Sequence, residues 1–189
     1  MALFGERGYS ATSIADIQLA CGLTAGSGAL YKHFPSKLAL LAEGVHRYVA
    51  SVEKSRAGLM EILPDDPRQA LQMIADAVVT AMAGDGPVIR VVLRDLERFP
   101  NLLNELWDGL LAALYNEIAD WLRSQQAAGR ITVDDPQATA AVLLASLTYY
   151  RILEALIART PGNVDVRSFV VAWVDSAVAT LHLTTGETS

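Results

Sequence analysis

The chain has 189 residues, 52% of them hydrophobic and 19% charged, with a formal net charge of −6. That length carries a self-supporting core, the composition excludes intrinsic disorder, and a single cysteine, Cys21, excludes an internal disulfide scaffold. The charge is uneven: residues 1–57 carry +2 and hold all three lysines, and the remainder carries −8, so a polyanion would meet the front of the chain.

Helical spacing recurs throughout and strand alternation does not, which predicts an all-α class with an N-terminal helix-turn-helix head and a C-terminal helical body. Leu3 and Phe4 end a first helix at Gly5 and Gly8. Thr12 and Ser13 open a second, with Ser13 and Asp16 as a capping pair and Ile14, Ile17 and Leu19 as apolar positions up to Gly22. A short segment then runs to Phe34. If it is helical, Leu30 and Phe34 share its inner face about 40° apart, Lys32 and Gly28 point outward, and Tyr31 and His33 occupy the flanks. Two short helices around Gly22 form the pattern whose second member enters the DNA major groove. Gly26 and Gly28 either keep its entering end slim or belong to a longer turn; both readings stay open.

Ser36 caps a long helix carrying Leu38, Leu41, Val45, Tyr48, Val52 and Leu59. Lys37, just inside that cap, is unfavourable against the helix dipole unless a phosphate lies between, which points to a phosphate contact. Pro64, Asp65, Asp66 and Pro67 start the next helix, and residues 84–87 separate it from one over 88–99. Pro100 opens 101–128, Pro136 opens 137–159, and the turn at 160–163 leads into 166–183. The head is expected over 1–45 and the helical body over 46–189. The longest apolar run, 140–150, contains Ser146 and Thr148 and stops before Arg151, short of the roughly 18 residues that cross a bilayer. No secretory leader pattern opens the chain. A cytoplasmic protein with no membrane partner is the expectation.

The last two helices are apolar almost all round, so one face of each would meet the body and the other a second subunit. Leu143, Leu147, Tyr150, Phe169, Trp173 and Val174 are the expected homodimer residues. For a small apolar effector, Trp107, Leu111 and Tyr115 on one stripe, with Met82, Arg94 and Tyr149 nearby, are the candidate pocket. Arg90, Arg94 and Arg98 recur every four residues beside Asp95 and Glu97, which reads as a solvated ion-pair face. No cofactor or metal is expected, because His33, His46 and His182 are far apart and no paired cysteines or nucleophile elbow occurs. Asp65-Asp66 and Asp134-Asp135 read as helix caps, and an enzyme is not expected.

Phe4, Gly8-Tyr9, Thr12-Ser13-Ile14, Ile17, Cys21-Gly22-Leu23-Thr24 and the run from Ala29 to Lys37 with Leu40 together resemble the DNA-binding domain of the TetR (tetracycline-repressor) family. The resemblance covers about residues 4–45. It implies an all-α homodimeric bacterial regulator, mostly of repressor type, that binds a double-stranded DNA operator and is released by a small-molecule effector. It also implies phosphate contacts from Thr12, Tyr31, His33 and Lys37, a recognition segment opened by Thr24, and Ser27, Gly28 and Lys32 toward the groove. Two departures accompany it. The stretch 25–28 is two residues longer than usual, which loosens the placement of Ser27 and Gly28, and little chain precedes Phe4. The alternative function is a helical small-molecule-binding dimer that has lost DNA binding.

Overall fold

A computed structural model describes residues 1–26, 28 and 30–183. Side chains that satisfy free amides set most of the helix starts. After the short helix α1 (Ala2–Arg7), Ser13 caps α2 (Ile14–Ala20) through a reciprocal box: its hydroxyl accepts from the Asp16 N–H at 3.1 Å, and its own N–H donates to Asp16 Oδ2 at 2.8 Å. Ser36 accepts from the Ala39 N–H at the start of α3 (Lys37–Glu61). Asp66 caps α4 (Pro67–Ala83), with proline at its first position where no N–H is needed. Asp135 does the same for α8 (Pro136–Ile157) and Asp165 for α9 (Val166–Thr180).

Between these lie α5 (Gly86–Asp95), α6 (Pro100–Leu106) and α7 (Ala112–Ala127). The helix the sequence predicts over 101–128 runs unbroken over 100–127, with a π-helical turn, Trp107–Leu111, inside it between α6 and α7. That turn contains Gly109, where an added Cβ would stand 3.2 Å from Val49 Cγ1 of α3. The turn therefore lies where α3 comes close. Among the described residues there is no strand, and the class is all-α.

Two apolar cores result. One joins α4, α7, α8 and α9 through Leu71, Ile74, Leu122, Leu144, Leu147, Trp173 and Val174. The other joins Phe4 of α1 and Ile17 of α2 to Leu41 and Val45 of α3, then to Val91, Leu96, Leu102, Leu106 and Leu110. The second core crosses position 45 without a gap, so the head rests directly on α5 and α6.

Helix α8, with a mean hydropathy of 1.5, is long and apolar enough by composition to cross a bilayer, a property the interrupted run at 140–150 conceals. Here it packs against α4, α5 and α7 on one side and is open on the other.

Candidate nucleic-acid interface

Between α2 and α3 there is no α-helix among the described residues. The one helical element there is a single 3-10 turn, Leu30–Lys32. The cause lies in two glycines: Gly26 and Gly28 have φ of 75° and 67°, left-handed values that interrupt a right-handed helix. Of the two open readings, the longer turn is the one found. Gln18, buried in α2, holds the turn by accepting the Gly26 N–H on its side-chain oxygen at 2.8 Å. Gly28 is half-buried with no neighbouring atoms where a Cβ would lie, and Ser27 falls outside the described residues.

Leu30 and Phe34 turn inward, Leu30 packing against the Phe4–Leu41 core, whereas Thr24, Tyr31, Lys32 and His33 are exposed. Tyr31 keeps 56% of its surface in solvent. All four are solvent-facing polar or aromatic side chains, of the kinds that meet phosphates and base edges.

Two expected phosphate contacts lie elsewhere. Thr12 is 0% exposed, and its hydroxyl donates to the carbonyls of Gly8 at 2.7 Å and Leu3 at 3.2 Å. Its methyl and hydroxyl fill the joint between α1 and α2, so Thr12 is a structural residue. Lys37 points inward: Nζ donates to the Tyr9 carbonyl at 2.8 Å and the Thr12 carbonyl at 2.9 Å, and sits 4.3 Å from the Tyr9 ring centroid. Two carbonyls and a ring face solvate the ammonium, where a phosphate is expected from the sequence.

Arg90 and Arg94 of α5, and Arg98 in the 3-10 turn that follows it (Leu96–Arg98), also differ from the expected solvated face. Arg94 Nη2 donates to the Phe4 carbonyl at 2.5 Å and pairs with Asp95, which is buried and accepts the Tyr9 N–H at 3.1 Å. Arg98 donates to the Ser10 hydroxyl at 2.6 Å. Arg90 donates to the Gly5 carbonyl at 3.2 Å and to the Ala155 carbonyl of α8 at 2.8 Å. The three arginines thus strap the head onto the body. Their four-residue spacing was visible in the sequence; their acceptors, mainly main-chain carbonyls from α1 and α8, were not. Below this, Arg56 of α3 pairs with Glu117 of α7, and the Tyr48 hydroxyl donates to Asp85 at 2.8 Å. Burial first, and then the bond to Asp85, push the Tyr48 phenol above its ordinary pKa.

The candidate effector residues stand in different surroundings. Arg94 belongs to the strap, Trp107 and Tyr149 are exposed, and Leu111 and Tyr115 are half-buried, Tyr115 against the α4–α9 core. Met82 lines a cavity with Arg151 and Glu154.

The expected dimer residues are corrected too. Leu143, Leu147, Tyr150, Trp173 and Val174 are buried within this chain, and Phe169 stacks on Tyr150 with ring centroids 4.3 Å apart. The Trp173 indole N–H donates to the Ser146 hydroxyl at 2.9 Å. The outward face of α8 carries Val142, Tyr149 and Leu156, seven residues apart on one stripe, with the exposed Ala138 and Ala145 between turns. On α9 the small residues Ser168, Ala172, Ser176 and Ala179 are exposed.

Among the described residues no group of three or more His, Cys, Asp or Glu side chains could hold a metal ion.

Residues 1–43 match the family model of bacterial regulatory proteins of the tetR family, and residues 69–182 match that of the AefR-like transcriptional repressor C-terminal domain. The fold is similar to PfmR, a TetR family transcriptional regulator from Thermus thermophilus, at 22% identity over 95% of this chain and 94% of that one, TM-score 0.74. It is also similar to the ketosteroid transcriptional regulator KstR2 of Mycobacterium tuberculosis, at 18% identity over 97% and 91%, TM-score 0.71. GusR of Salmonella enterica gives 21% identity over 95% and 89%, TM-score 0.68. At these identities the likeness is one of fold. No curated protein sequence matches at a significant level.

Proposed function

The chain belongs to the TetR family of bacterial transcriptional regulators, and on that premise we propose that it acts as a dimeric repressor that leaves its operator when a small molecule binds the body. The observation that carries the reading lies in the head, where Thr24, Tyr31, Lys32 and His33 are solvent-facing while Leu30 packs into the core. The C-terminal likeness to AefR-like repressors supports repression over activation. The open α8 stripe supports pairing with a second copy, which would hold two heads one DNA turn apart, about 34–36 Å. Contact with the chromosome places the protein in the cytoplasm, and neither a cofactor nor a membrane enters this reading.

The testing experiment is gel retardation of DNA from upstream of its own gene, repeated across salt concentrations. Retardation of one fragment over competitor DNA, weakening steeply as salt rises, is the expected result. A second reading, a helical small-molecule-binding dimer without DNA affinity, draws on the glycine-rich turn that replaces a second α-helix. An intact dimer that retards no DNA even at low salt would select it.

A further inference from the structure

Arg151 of α8, like Arg56 of α3, has a buried Nε–H that no described residue accepts, and of the two it is Arg151 that lines a cavity. Its side chain is only 11% exposed; Nη1 pairs with Glu154 at 2.5 Å, but its buried Nε–H has no acceptor among the described residues. A buried guanidinium N–H left unbonded is costly, and an anionic acceptor would reverse that cost. Arg151 also borders two cavities. One, of about 380 Å³ between α4, α8 and α9, is walled by Val79, Val170 and Val171, with Arg167 and Asp76 at its polar side. The other, of about 340 Å³, lies against Glu154, Ala155 and Met82.

The larger cavity does not belong to the open α8 stripe. Val171 lies one helical turn before Asp175, which pairs with Arg68 of α4 at 2.5 Å, so this wall of α9 faces α4. Its charges are two arginines against one aspartate, and Asp76 already accepts the Gln72 amide at 2.9 Å. Valines and an under-bonded guanidinium lining the same cavity are the chemistry of a site for a small amphipathic carboxylate.

We propose that this cavity binds an aliphatic monocarboxylate, with the carboxylate on Arg151 and the chain against Val79, Val170 and Val171, and that binding is felt in the head. The inference rests on reading the chain as a ligand-responsive regulator. The route is short: a carboxylate that draws Arg151 away from Glu154 disturbs the turn of α8 whose Ala155 carbonyl is held by Arg90, and Arg90 also holds Gly5 of α1. The coupling needs only that α1 prefer a different seat when Arg90 loses one of its two acceptors.

Octanoate is the probe, titrated calorimetrically into the full-length dimer beside acetate and 1-octanol. Octanoate should bind at least tenfold more tightly than either control. Val171→Trp, which fills the mouth at a half-exposed position without touching Arg151, should weaken octanoate at least tenfold. Glu154→Gln, which removes the competing carboxylate, should tighten it threefold or more. Arg151→Gln should erase the preference for octanoate over 1-octanol; if that variant fails to fold, the Val171 and Glu154 variants carry the test. Equal binding of octanoate and 1-octanol, equal binding of acetate, or an unchanged affinity in Val171→Trp would overturn the site. Gel retardation reads the second half: octanoate should lower DNA affinity at least fivefold in the parent and leave Val171→Trp unaffected. Octanoate binding with unchanged retardation would overturn the coupling while the DNA-binding reading stands. Octanoate binding by a protein that retards no DNA would overturn the regulator reading, and with it the coupling, while the site stands.

Discussion

A lysine ammonium already bonded to two carbonyls and resting on a ring has little to gain from a solvated phosphate, whereas an ammonium in water releases counterions when it meets one. Lys37 is in the first condition and Lys32 in the second. Lys32→Ala is therefore expected to weaken DNA binding on all sequences alike and to lower the slope of log affinity against log salt by about 1 per head. Lys37→Met should instead lower unfolding free energy by about 2 kcal/mol, from two charge-assisted bonds and a ring contact, with the salt slope unchanged; urea melts and retardation at several salt concentrations separate the two. Asp16 offers a titration at the same scale. Hydrogen bonds from the Ser13 hydroxyl and then the Ser13 N–H hold its carboxyl below the ordinary 3.8. A depressed folded pKa means that the cap stabilises fully above 3.8 and that this is lost as pH falls through the lower value. Protection of the α2 amides, relative to their intrinsic exchange at each pH, should fall across that window, and Asp16→Asn should remove that pH dependence.

An amphipathic helix tells its inner face by its pattern, but a helix apolar all round does not. This is why most of the helix starts were legible in the sequence while the dimer residues on α8 and α9 were not: Asp66, Asp135 and Ser36 act through local amides, but whether Leu147 or Tyr149 faces inward depends on where α4 and α7 happen to pack. The π turn at Trp107–Leu111 escaped for the same reason, since it lies opposite Val49 from a distant helix. The exposure of Tyr31, Lys32 and His33 in the head was legible because Leu30 and Phe34 set the inner side; the loss of helix there followed from Gly26 and Gly28, where sequence alone allowed both outcomes. The two faces of α8 give opposite predictions. Tyr149→Glu, on the open stripe, should yield a folded monomer in sedimentation equilibrium and abolish retardation of a two-half-site operator, with little change in far-UV dichroism. Leu147→Ala, fully buried, should keep the dimer mass and lower stability by about 2–5 kcal/mol.

At the scale of the whole molecule, the head of this regulator is seated by the apolar core it shares with α5 and α6 and by arginines whose acceptors are mostly main-chain carbonyls, so helix geometry sets part of its seat. The arginine strap ends on carbonyls of Phe4, Gly5 and Ala155, and α1 lies so close to α5 that a Cβ on Gly5 would stand 2.5 Å from Pro87 Cα and 2.7 Å from its carbonyl oxygen. Backbone cannot swing aside as a flexible side chain can, so Gly5→Ala must lift α1 from α5 and lengthen the bonds from Arg90 and Arg94. The expected loss of stability is about 1–3 kcal/mol, the usual range for overpacking. No phosphate-facing side chain is removed, so the salt slope of DNA binding should stay as in the parent, and the α8 stripe is untouched, so the dimer should persist. What should change is the relation between the two heads: affinity for a two-half-site operator should fall well below that of the parent, while affinity for a single half-site falls much less. If both sites weaken equally, α1 serves only to hold the head folded, and the strap does not set its orientation.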